Sequence, residues 1–210
     1  KKYIADADTT ITNAFASSLL ERSRGTGSNM GAADVVEVFS IYDQGQTAYL
    51  KAIDDRGDPS SGSVELTRAL VKFPISDVST ARTNGDIPAS GSVNFYLRMF
   101  NAKHASTLPR DFKLVISPVS QSWEEGHGLD MEEYTDKTHE LEGANWVHRS
   151  SNATWGTKGG HYRTDFVQTV TFSRGTENLE TDITPLVEKW IASNDFDNYG
   201  IGIRLSSSYE

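Results

Sequence analysis

The chain has 210 residues, 37% hydrophobic and 23% charged, with a formal net charge of −9 and no cysteine. That size and balance suit one soluble domain with a core of its own, and the surplus of carboxylates argues against nucleic acid or anionic lipid as a charge-matched partner. Lack of cysteine removes disulfides, thiolate chemistry and sulfur-ligated metals and fits a cytosolic origin; no apolar run reaches membrane-span length, and no signal-peptide core follows Lys1-Lys2.

Tyr3 to Ile11 opens as an extended edge segment with acidic residues on its wet side, and residues 12–31 are small and polar, ending in the loop Gly25-Thr26-Gly27-Ser28-Asn29-Met30-Gly31. Val36, Val38 and Ile41, with Phe39 between them, mark a strand, and the Gly-, Asp- and Ser-rich span 43–63 is a surface excursion. Val64 to Phe73 reads as the next strand, stopped by Pro74. Asn84-Gly85 and Pro88 make a turn before Val93 to Phe100, where Val93, Phe95, Leu97 and Met99 share one face. Phe112 to Ile116 is another strand, and an irregular acidic stretch after Ser122-Trp123-Glu124-Glu125-Gly126-His127-Gly128 reaches Gly143. Val167 to Phe172 and Leu179 to Ile183 are further strands.

Helical periodicity is clean at one place. Leu186, Val187, Trp190 and Ile191 fall on one face of a short helix that starts at Thr184-Pro185, a hydroxyl able to cap followed by a first-turn proline. Ser193-Asn194-Asp195 ends it, 197–200 turns, and Ile201, Ile203 and Leu205 alternate as a half-buried strand. Eight or nine strands and one helix, joined by turns, predict an all-β fold: an antiparallel two-sheet β-sandwich over 1–210 with one short helix near its end.

The chemistry-bearing residues give no catalytic set. Glu124 and Glu125 are adjacent, so on extended chain they point to opposite faces and cannot flank one glycosidic bond. Histidines 104, 127, 139, 148 and 161 lie in loops without metal-ligand spacing, and no Gly-x-Ser-x-Gly elbow is present. Trp123, Trp146, Trp155 and Tyr162 suit either a sugar-stacking platform or buried packing, while Trp190 belongs to the core.

The landmarks also have a familiar order. Asp6-Ala7-Asp8-Thr9 comes first, then Asn29-Met30-Gly31, Arg68 to Phe73, and Gly91 to Leu97. Ser122-Trp123-Glu124-Glu125-Gly126 follows, with Trp146 and Thr154-Trp155 after it. Asp182-Ile183-Thr184 leads into Val187 to Trp190, and Asn198 to Ile203 closes the series. Together they resemble the DNRLRE family, jelly-roll domains similar to carbohydrate-binding modules, and this version looks like those of tailed-bacteriophage virion structural proteins, where such a domain opens a longer head- or tail-associated chain. The loops at 43–63 and 129–144 are longer than that family usually carries.

The resemblance implies a jelly roll, and a structural calcium held between the first strand and a late one, for which Asp6, Asp8 and Asp182 are the candidates. It implies a non-enzymatic virion component, decoration or fibre, assembled in the host cytoplasm and acting through contacts with capsid, tail or copies of itself. Loop 145–163, rich in aromatics and arginine, suits such an interface, with Trp146, Trp155 and Tyr162 as contact residues. The alternative is a carbohydrate-binding module that attaches to host surface glycans through the same three rings.

Overall fold

The computed structural model describes residues 1–15, 24–43, 63–103, 109–129, 142–192 and 196–210. Most of the two expected long loops, the residues expected to end the late helix, His104 and His139 lie outside the described residues.

Ten strands and two helices are described. In chain order they are β1 (Ala7–Thr12), β2 (Ser40–Asp43), β3 (Ser63–Lys72), α1 (Ile75–Thr83), β4 (Tyr96–Met99), β5 (Phe112–Pro118), β6 (His148–Ser150), β7 (Ala153–Thr154), β8 (Gln168–Phe172), β9 (Leu179–Asp182), α2 (Thr184–Ala192) and β10 (Ile201–Leu205). Every pairing is antiparallel. The main sheet runs β1-β3-β10-β5-β8, with β2 on the first half of β3, while β4-β9 and β6-β7 form two-stranded ribbons. The fold is therefore mostly strand, in antiparallel sheets, as expected.

The pairing has a simple order. β3 pairs with β10, β4 with β9, β5 with β8 and β6 with β7, so the chain from β3 onward is one long hairpin of nested pairs. Folding that hairpin over brings β10 beside β5 as well, with Ile203 opposite Ile116.

Both faces of the central strands are buried, which explains the unbroken apolar run Ala69-Leu70-Val71 on β3. Ala69 and Val71 face one core together with Ile116, Phe172, Ile201 and Ile203, covered by Leu97, Leu179, Leu186 and Trp190 from the β4-β9 ribbon and α2. Leu70 and Ile11 face a second core, closed by Val119, Ala144, Trp146 and Trp155.

Two expectations need correction. The single helix expected is two: α1 occupies the segment between Pro74 and the Asn84-Gly85 turn, for which no element was expected, burying Val78 and Ala81 against the first core and joining α2 through a bidentate Arg82–Glu188 pair, with Nη2 to Oε1 at 2.8 Å. Thr184 does not cap α2. Its hydroxyl accepts the Phe95 N–H at 2.7 Å, tying the helix start to the segment before β4, and Asp182 Oδ1 takes the Thr184 N–H at 2.7 Å instead.

Candidate functional site

The second core is built by a chain that leaves β5 and wraps over the sheet. Arg163 N donates to Pro118 O and Ser120 N to His161 O, so residues 161–163 run beside the end of β5 and Tyr162 is laid across β10. Gly202 makes this possible, because a Cβ there would collide with the Tyr162 ring. Ile-Gly-Ile on β10 is thus two side chains for the first core and a gap for a tyrosine on the other face.

Three stretches singled out in the sequence meet at one buried amide. Asn29 Nδ2 donates to Glu125 O at 2.8 Å and Ala144 O at 2.9 Å, while its Oδ1 accepts from Gly128 N at 2.7 Å and Gly31 N at 3.3 Å. Gly126 and Gly143 have φ of 80° and 85°, and a Cβ on either would strike Asn29 or its neighbours. Beside this knot Glu124, Gly126, His127, Glu142, Gly143 and Ser151 line a cleft of about 330 Å³. From the same stretch Glu125 Oε1 accepts the Asp8 N–H at 2.8 Å. Burial, and then the Glu125 carboxylate, hold the Asp8 carboxyl above the usual aspartate range.

The three aspartates expected to gather around calcium do not. Asp6 is exposed ahead of β1, Asp8 lies on β1 of the main sheet, and Asp182 ends β9 of the β4-β9 ribbon. Asp182 is engaged with Thr184, which holds its carboxyl below the usual range. Among the described residues no group of three or more His, Asp or Glu is placed to hold a metal ion. The donors present do not fit the cation, since a hard ion needs several oxygens converging on one point.

The three candidate contact rings do come together, but they face inward. Trp146 and Trp155 are 8% and 5% exposed, and Tyr162 packs against the same cluster. Two of their polar tips are satisfied at home: Trp155 Nε1 donates to Asn145 O at 2.8 Å and Tyr162 OH to Gly159 O at 2.8 Å. Trp123 behaves alike, with Nε1 to Tyr199 O at 2.7 Å. A sugar platform needs an open ring face, and in this arrangement two guanidiniums lie over the rings of Trp146 and Tyr162. Arg68 lies 5.0 Å from the Trp146 centroid and Arg204 lies 4.7 Å from that of Tyr162. Burial raises the Tyr162 phenol above its ordinary range, against the opposing pull of the two arginines.

Sequence reasoning missed Arg68, Arg204 and Glu210 as a group. Each looks like an outward polar residue, and only the register of β3 against β10 puts the two arginines on one face. The charge pattern of a strand holds no signal for this, because pairing between strands so distant in sequence is not written locally. Comparison of the chain with family models, with curated proteins and with solved structures finds no match.

Proposed function

We propose that this chain is a non-enzymatic structural module of a tailed-bacteriophage virion, head- or tail-associated, working through protein–protein contacts. The virion assignment rests on the ordered sequence landmarks that resemble the DNRLRE family. The nested pairing β3–β10, β4–β9, β5–β8 and β6–β7 supports the jelly-roll part of that reading, since a jelly roll is a long hairpin folded over into two sheets. Jelly rolls serve both capsids and lectins, so the fold alone does not choose between protein and glycan.

The observation that favours protein contact is the inward turn of Trp146, Trp155 and Tyr162. With those rings packed internally, the large apolar groups left outside among the described residues are scattered side chains such as Tyr96 (51% exposed) and Phe100 (76% exposed), at and just past β4. These suit the flat, mixed surfaces by which proteins meet.

Quantitative mass spectrometry of purified, washed virions tests the proposal. The expected result is this chain at a fixed ratio to the major capsid protein, near a symmetry number. Its absence from washed particles overturns the virion reading. Binding to host surface polysaccharide that is lost in W155A would move the assignment to a glycan module.

A further inference from the structure

Arg68 and Arg204 stand two residues before Leu70 and two after Gly202, which are register partners, so both project from the second-core face of the sheet. Arg68 is engaged through all three of its nitrogens. Its Nε and Nη2 donate to the Glu210 carboxylate at 3.0 and 2.7 Å, and its Nη1 donates to Gly159 O at 2.7 Å.

Arg204 is not. Among the described residues its one side-chain hydrogen bond is Nη1 to Ser117 Oγ at 3.3 Å, and no carboxylate lies within ion-pair distance of it. A guanidinium carries five planar N–H donors, and a partly buried one without an anion is costly. Burial and the Arg68 charge both disfavour the cation here, with Tyr162 and Glu210 pulling the other way.

We propose that Arg204, flanked by Arg68, is a seat for a carboxylate supplied by a neighbouring protein subunit, an Asp or Glu side chain. This rests on the protein-contact reading above and names its chemistry. Glu210 demonstrates the geometry in place, because one carboxylate already lies bidentate on the adjoining guanidinium. The ligand is a small anion rather than a sugar ring, since Arg68 and Arg204 cover the ring faces of Trp146 and Tyr162 on which a pyranose would stack. A chain of formal charge −9 has carboxylates to offer, so a second copy satisfies the requirement.

The test is titration of the full chain at low salt with acetylated hexaglutamate, read by tryptophan fluorescence. Hexaglutamine and glucuronic acid are titrated alongside. The expected result is saturable, salt-sensitive binding of hexaglutamate only, weakened at least about tenfold in R204Q, as for removal of one partner of a desolvated charge pair. R163Q, at an arginine already paired with Asp165, keeps wild-type binding. Should R204Q melt early, R204K serves in its place, with weaker binding expected because the planar fork is lost. No binding of hexaglutamate, equal binding of hexaglutamine, tighter binding of glucuronic acid, or unchanged binding in a folded Arg204 variant each overturns the seat. Binding as expected in a chain absent from virions would sink the virion reading and leave the seat standing.

Discussion

Asn29 uses both lone pairs and both N–H groups of its side chain inside the protein, and the four bonds end on backbone of three stretches, at Gly31, at Glu125 and Gly128, and at Ala144. N29A removes all four partners at once, leaving buried backbone donors and acceptors unmatched. The expected loss is roughly 3 kcal/mol, since an orphaned buried polar group costs about 1–3 kcal/mol and part of the gap admits water. N29D has the same shape but presents oxygen to two carbonyls, and is expected to lose at least as much at neutral pH. Urea denaturation of the three proteins measures this; a loss under about 0.5 kcal/mol for N29A, the ordinary range for surface changes, would mean the amide is no hub. In the sequence Asn29 sits in a Gly-rich loop, and such an asparagine looks the same whether it tips a wet turn or ties three segments. Asp8 carries a second prediction. Its folded pKa is raised, so the folded state holds its proton longer than the unfolded one, and stability falls as pH climbs from the ordinary value of 3.8 through the raised one. D8N removes that penalty. It is expected to be more stable than wild type at neutral pH, with the difference shrinking to nothing below pH 3.8. Thermal melts across pH decide it, and a D8N less stable than wild type at pH 7 would show that Asp8 is held by something other than burial and its neighbour.

The two helices differ in how plainly they were written. α2 buries Leu186, Val187 and Trp190 along one stripe, so its periodicity could be read directly. α1, Ile-Ser-Asp-Val-Ser-Thr-Ala-Arg-Thr, buries only Val78 and Ala81, is rich in Ser and Thr, and has no side-chain cap at Pro74. Its local signals are few, Asp77 in the first turn, Arg82 in the last and the positive-φ Gly85 past its end, and packing against the first core and α2 decides the matter. The Arg82–Glu188 pair that joins them is mostly buried, with side chains 16% and 17% exposed, and Arg82 also lies over the Phe95 ring. E188Q leaves the guanidinium without its anion and is expected to cost on the order of 2 kcal/mol. The sign with pH is opposite to that of Asp8. Arg82 lowers the folded pKa of Glu188, so its contribution is present above the ordinary value of 4.5 and disappears as pH falls through the lowered one. Wild type and E188Q should therefore converge in acid; a gap between their denaturation midpoints that stays constant from pH 7 to pH 3 would rule the ion pair out as its source.

At the scale of the whole molecule, strand content and antiparallel pairing were legible because alternation and turn residues record them locally. Which strand meets which was not, since β3 and β10 are more than a hundred residues apart. The cost of that distance is a sheet shared by two cores: Ala69, Val71, Ile201 and Ile203 serve one face while Leu70 serves the other from the same strands. Neither core can then melt without exposing the back of the other, and the chain should unfold in one step. L186A in the first core and I11A in the second, both at fully buried positions, are each expected to lose about 2–5 kcal/mol. Both should move the same transition. Trp190 reports from the first core, and Trp146 and Trp155 from the second, so replacing reporters in turn by phenylalanine separates the signals. Coincident urea curves from both reporters, shifted together by either alanine, are the expected outcome. A variant in which one reporter melts ahead of the other would show that β3 and β10 do not couple their two faces, and that the protein is two stacked units sharing a wall.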